Sequence, residues 1–441
     1  RQVPTTRRSP AADLLHVALA RQPGGLEHRG HAPSDFRSLP PVQRGERHPE
    51  EQHVEQRRER DADGQEAQDV LEEPGTFTNL GTCDVADVLT NPNNAVAGAT
   101  CHRAEVTCEG LDPIELTMLV GRPPEGTSVR GVVTFSSGTG GTTFYNAAIA
   151  QALVDEGFIT IRRRWSYDWV TGPGGMRRSS CRFTTMMSWL RSREWTEGKP
   201  LCATGNSGGA TEISYGLSAQ SLGAVLDLAV VTGGPPMGRV DLGCLGGAAW
   251  ESQCHNLVPS GACPVEDLRC GYGPAAMSLI DSAYEGTPCA DAATSGDTEI
   301  LEEDSVVSPL GLYDYPQTLV HVIQGNQDCS EAAPLGMLYA EAVTSEKVVE
   351  WVEAPHGVFQ SSAGKQAIRD AILEGTADTS QVATVGHSAG GRPAFAFSGL
   401  DSPQVKTNIG YATVPFESIP EKPVLLLMEQ FPDIEHELIL T

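Results

Sequence analysis

Leu201-Cys-Ala-Thr-Gly-Asn-Ser-Gly-Gly-Ala210 decides how this chain is read. Small and strand-forming residues run into Gly205-Asn206-Ser207-Gly208-Gly209, and helix formers follow over 208–218. This is a G-x-S-x-G pattern with a strand before it and a helix after it. A serine at so sharp a strand-to-helix turn must adopt a strained backbone, and glycines on either side let the chain close around it. Its hydroxyl is then lifted into the open at the positive end of a helix. The chain holds 47 Gly, so such a pattern also arises by chance, and its surroundings must carry the assignment.

Downstream, Thr318-Leu-Val-His-Val-Ile-Gln-Gly325 is a run of strand formers ending in Asn326-Gln327-Asp328. Lys347-Val-Val-Glu-Trp-Val-Glu353 alternates like a strand and ends in Ala354-Pro355-His356-Gly357. With the serine turn, these segments resemble the α/β-hydrolase family from about residue 76 to about residue 375, in the order serine, acid, histidine. The resemblance implies a mostly parallel, doubly wound α/β sheet with helices on both faces. It also implies Ser207 as nucleophile, Asp328 as orienting acid and His356 as base.

Upstream, the strand expected over 129–135 leads into Ser136-Ser-Gly-Thr-Gly-Gly-Thr-Thr143, where that family carries its oxyanion loop. Backbone donors around Thr139, Gly140 and Gly141 would pair with the N–H of Gly208 to hold a developing oxyanion. Helices are expected over 144–156, 181–195, 332–344 and 361–373, and further strands over 114–120, 158–161 and 224–232. The loop Trp165-Ser-Tyr-Asp-Trp-Val-Thr-Gly-Pro-Gly-Gly-Met176 places Trp165, Tyr167 and Trp169 at the catalytic edge, either lining a substrate pocket or covering the core. Over 238–308 the strand–helix alternation gives way to Gly, Pro and cysteine, the expectation for a lid insertion.

All eleven cysteines lie between Cys83 and Cys329. The cluster Cys244, Cys254, Cys263, Cys270 and Cys289 predicts a disulfide-stapled insertion and a secreted or otherwise extracytoplasmic protein, although no signal segment is visible. The odd total requires a thiol left over, and Cys202, inside the strand before Ser207, is the expected buried one. A formal net charge of −26 excludes a nucleic-acid binder, which needs a basic face. No apolar run approaches the roughly 18 residues of a membrane span. No metal or organic cofactor is implied, and a monomer is expected.

Residues 1–75 carry Arg, Glu, Gln, His and Pro but no Lys, Cys, Trp, Tyr, Ile or Met, the composition of a solvated tail. The catalytic domain is expected over 76–376. Beyond it, Gln381-Val-Ala-Thr-Val385 leads into Gly386-His387-Ser388-Ala389-Gly390-Gly391, a second strand–turn–helix signature. Strands expected over 406–414 and 422–428 would make 377–441 a partial second unit of the same kind, with Ser388 lacking a base. Other histidines compete poorly with His356: His321 lies within an apolar strand, and His102 and His255 sit among cysteines. Asp281 and Asp304 follow no strand. Asn206 and Gly357 stand where tannase-like and feruloyl-esterase-like relatives carry cysteines, which disfavours that subgroup. The implied activity is hydrolysis of carboxylic esters, small or polymeric, through an acyl-enzyme. A peptidase or amidase of the same fold is the alternative, and a non-catalytic binding protein the alternative outside enzymes.

Overall fold

The computed structural model of the protein describes residues 75–89, 91 and 94–376, together with four short strands further on. Among these residues one nine-stranded sheet forms the frame. Its strands are β1 (Thr76–Cys83), β2 (Thr100–Thr107), β3 (Ile114–Gly121), β4 (Gly131–Ser136), β5 (Phe158–Trp165), β6 (Leu201–Asn206), β7 (Leu228–Thr232), β8 (Leu319–Gly325) and β9 (Lys347–Val352). They lie in the order β1-β2-β3-β5-β4-β6-β7-β8-β9. From β5 to β9 every neighbouring pair is parallel, and β1, β2 and β3 add an antiparallel flank.

The parallel strands are joined by helices, as parallel pairing requires. The helices are α1 (Ala147–Asp155), α2 (Cys181–Arg191), α3 (Gly208–Ala219), α4 (Ala332–Ala342) and, after β9, α5 (Ser362–Gly375). Alternation along each strand sends successive side chains to opposite faces, and two hydrophobic cores result. Leu201 and Ala203 of β6 and Ala229 and Val231 of β7 face the core built with α2, α3 and α4. Cys202, Leu228 and Val230 face the other, built with α1 and α5. Because both faces are covered, β4 and β6 are buried end to end. The outer strand β9 leaves Lys347, Val348 and Val349 exposed, so it is an edge.

The strand expected over 114–120 is present as β3 but is not the first in the chain: β1 and β2 precede it as an antiparallel pair, with Cys83 opposite Cys101 and bridged to it. β1 is mostly exposed and rich in Thr, Asn and Gly, so it lacks the apolar alternation that marks a buried strand. Between β7 and β8 the chain leaves the sheet. This insertion is helical rather than irregular, with short helices at Val240–Leu245, Glu251–Leu257, Pro274–Asp281, Pro288–Ser295 and Glu299–Glu303. Bridges Cys244–Cys289 and Cys254–Cys270 lie inside it, and Cys263–Cys329 ties it to the loop after β8. Cys108–Cys181 ties the turn after β2 to the start of α2, and Cys202 is the remaining thiol, fully buried. None of the described helices is long and apolar enough to cross a membrane.

Beyond 376, β10 (Ala383–Gly386), β11 (Thr407–Gly410) and β12 (Val424–Leu426) pair in parallel, and β13 (Ile439–Leu440) pairs antiparallel with β12. β11 and β12 fall within the strands expected there, and β10 overlaps the strand expected over 381–385. Ser388 and its turn lie outside the described residues, as do residues 1–74.

Candidate active site

Ser207 sits at the junction of β6 and α3 with φ 57° and ψ −119°, a left-handed conformation rare for a residue with a Cβ. It is the one residue from 201 to 210 that is not buried. Close packing explains the glycines around it. A Cβ on Gly208 would lie 1.8 Å from the Thr139 carbonyl oxygen, and one on Gly205 would lie 2.5 Å from the Gly209 carbonyl carbon. The loop after β4 therefore presses directly onto the start of α3.

Within that loop Thr139 also has a positive φ, 55°. The N–H groups of Thr139 and Gly140 have no partner among the described residues, and that of Gly208, first in its helix, has no intrahelical acceptor. Gly141 departs from expectation. Its N–H donates to the Gly138 carbonyl at 3.2 Å, closing a tight turn, so it is not a free donor.

Asp328 lies in the turn after β8 and is 2 % exposed. Its Oδ1 accepts the Ser330 N–H at 2.9 Å and the Ser330 hydroxyl at 2.6 Å. Its Oδ2 accepts from His356 Nδ1 at 2.7 Å. An ionised carboxylate only accepts, so this bond places a proton on Nδ1 and leaves Nε2 as the ring's acceptor when neutral. Ser330 Oγ also lies 3.3 Å from His356 Nδ1. The two loops are fixed to each other by backbone bonds, Asn326 N–H to Val352 and Gln327 N–H to Ala354.

Burial is the strongest single influence on His356 and pulls its pKa down. The hydrogen bond to Asp328 and the charges of Asp328 and Glu331 outweigh it, with Arg269 opposing, and the imidazole ends above its ordinary 6.5. Ser207, Asp328 and His356 border a single cavity of about 440 Å³, walled by Pro236, Asp267, Arg269, Gln327, Glu331 and Pro355. No hydrogen bond joins Ser207 Oγ to His356 in this arrangement. A larger hollow of about 700 Å³, between Arg177, Tyr284, Ile300 and Leu310, touches none of the three.

Of the two readings left open for the aromatics after β5, pocket lining or core cover, the structure takes the second for both tryptophans and leaves the first unsupported. Trp165 and Trp169 are each 1 % exposed and belong to the core. Trp165 donates its indole N–H to Glu212 of α3, and Trp169 packs edge-on against Tyr215. Tyr167 stacks beneath Arg182 and donates to the Pro113 carbonyl. None of them borders the cavity at Ser207. Of the rival groups, His321 is buried and paired with Glu350, with burial lowering its pKa. Asp281 accepts the N–H groups of Cys289 and Ala290, and Asp304 those of Met176 and Arg177.

Reading the sequence alone missed Arg269, Glu331 and Ser330, which line this cavity, and the contacts of Asn206 beside Ser207. Arg269 and Glu331 carry no local pattern; the first is brought in by the Cys263–Cys329 bridge and its own N–H bond to Cys329. Ser330, two residues after the acid, fits a local carboxylate turn and was open to that reading.

No family model matches the chain, and no curated protein matches it. Among solved structures it is similar to brefeldin A esterase, a bacterial homologue of human hormone sensitive lipase, at 18 % identity and TM-score 0.44, over 66 % of this chain and 79 % of that one. A fungal esterase structure from Rhizomucor miehei gives 15 % identity and TM-score 0.42, over 66 % and 86 %. Est1E from Butyrivibrio proteoclasticus gives 12 % and 0.38, over 64 % and 100 %. Likenesses this distant add no weight of their own. The parallel run from β5 to β9, helices on both faces and a serine held at positive φ between β6 and α3 do. By these features the described unit, residues 75–376, has an α/β-hydrolase fold.

Proposed function

We propose that the protein is a serine hydrolase that cleaves carboxylic esters through an acyl-enzyme. The observation that carries this reading is the His356–Asp328 hydrogen bond, at 2.7 Å, on the same cavity as a serine held at φ 57°. A serine hydroxyl is a weak nucleophile until a base removes its proton. His356 Nε2 takes that proton as Ser207 Oγ attacks the ester carbonyl. The N–H groups of Gly208 and of Thr139 or Gly140 stabilise the oxyanion, each such donor contributing about 3 kcal/mol. The imidazolium, held by Asp328, returns the proton to the departing alcohol. Water, activated by the same histidine, then attacks the acyl group and releases the acid and free serine. The missing Ser207–His356 bond is compatible with this sequence, because such contacts commonly tighten only with substrate bound.

The cavity holds only about 440 Å³, and Asp267, Arg269, Gln327 and Glu331 interrupt the apolar surface that Pro236, Ala332 and Pro355 give it. That lining favours short acyl groups over long chains, which need an apolar channel. The insertion, carrying Asp267 and Arg269, acts as the wall that selects substrate. The five disulfides support an oxidising, extracytoplasmic location.

Labelling with a fluorophosphonate and peptide mapping test the assignment on the full chain. Label on the Ser207 peptide, lost together with p-nitrophenyl acetate turnover in Ser207→Ala, is the expected result. Faster turnover of the acetate than of the decanoate is expected as well. Label on Ser388, or a folded chain that neither labels nor turns over, would overturn it in favour of the C-terminal segment or of a binding protein.

A further inference from the structure

Asn206, one residue before Ser207, makes contacts that its place in the turn does not require. Its side chain is 3 % exposed. Oδ1 accepts from the Val358 N–H at 3.0 Å and from the Thr232 hydroxyl at 3.0 Å, whose proton is shared with the Gly205 carbonyl at 3.1 Å. Thr232 ends β7, and its carbonyl in turn accepts the Ser207 N–H at 2.9 Å. Val358 begins the turn that follows His356, and its N–H is shared between Asn206 and the His356 carbonyl. Gly233, next to Thr232, lies so close to this loop that a Cβ there would be 2.4 Å from the His356 carbonyl oxygen.

We infer that Asn206 is a positioning residue that holds the His356 loop in register with Ser207. Asp328 orients the imidazole ring by its Nδ1, but it sits on a different loop from the nucleophile. Asn206 is the side chain that links the segment bearing Ser207 to the segment bearing His356. One amide oxygen, fixed by β6 on one side and by Thr232 on the other, defines where the backbone after His356 rests. An error of about 1 Å in such a relation costs on the order of 100-fold in rate.

The inference rests on the Ser207–His356 reading, and two variants examine it in the full-length protein. Asn206→Ala removes the acceptor. Asn206→Asp keeps an oxygen at the Oδ1 position and adds a negative charge near His356. Expected are a kcat for Asn206→Ala reduced about 10- to 100-fold with KM within about two-fold, and recovery of most of that loss in Asn206→Asp at the plateau of its pH profile. The acidic limb of the Asp variant is expected at higher pH than in the wild type, since an added carboxylate favours the imidazolium. Unfolding midpoints separate misfolding from misplacement. A folded Asn206→Ala with unchanged kcat, or a folded Asn206→Asp no better than the Ala variant, overturns the inference while leaving Ser207 as nucleophile. Absence of turnover and of Ser207 labelling in the wild type overturns the catalytic reading and this inference with it.

Discussion

A histidine serves as a base only while neutral, so under the proposed mechanism the proton on His356 sets the lower pH edge of activity. Its raised pKa puts that edge above the ordinary histidine value of 6.5. The neighbours decide how far. Glu331 favours the imidazolium and Arg269 disfavours it, and the two side chains lie 3.6 Å apart on the cavity wall. Glu331→Gln is therefore expected to move the acidic limb of kcat/KM to lower pH, and Arg269→Gln to move it higher. Profiles of the two variants against the wild type check the signs; unchanged limbs in both would remove these side chains from the field at His356. The same shift acts on stability. A pKa raised in the folded state favours folding below the unfolded value, and that contribution disappears as pH rises through the folded value.

At the scale of elements, β5 and α3 are joined by a charge pair that no water reaches. Arg163 and Glu212 form an ion pair in which both side chains are 0 % exposed. Arg163 donates also to the Ser136 hydroxyl at 2.7 Å, and Glu212 accepts the Trp165 indole at 2.7 Å. Burial lowers the Arg163 pKa to about 9. This network braces the start of the loop after β4 against α3, so it contributes geometry as well as stability. Removing one member leaves a buried charge without its counterpart, which costs about 3–5 kcal/mol. Glu212→Gln should lose that amount in denaturant unfolding. A loss below about 1 kcal/mol would mean that water or a rearranged partner compensates the guanidinium.

At the scale of the molecule, one disulfide joins β1 to β2, one ties the turn after β2 to α2, two lie inside the insertion and one ties the insertion to the loop after β8, and Cys202 is left inside the sheet. Burial raises the Cys202 thiol well above its ordinary pKa, with Asp227 adding to the rise, so it has almost no thiolate with which to react. Native protein should give no thiol with Ellman's reagent. One should appear in denaturant, and all eleven cysteines should react after reduction. More than one thiol in unreduced denatured protein would contradict the pairing. The net charge of −26 surrounds this molecule with a negative field that opposes anionic partners.

The sequence alone determined what is local. The turn at Ser207, the strands that carry Asp328 and His356 to one edge, and the identity of the spare thiol follow from glycine placement, alternation and chain order. Such features depend on a few neighbouring residues and on one strand's two faces. Only the tertiary structure decided what depends on approach through space. Trp165 and Trp169 turned into the core because Glu212 and Tyr215 of a later helix offer an indole acceptor and an aromatic face. Cys263 found Cys329 across a separation of 66 residues, which no spacing specifies. Arg163 and Glu212 stand 49 residues apart in apolar segments, and only the fold makes them partners. The bond from Val358 to Asn206 joins residues 152 apart, and periodicity along a chain holds no record of so distant a meeting.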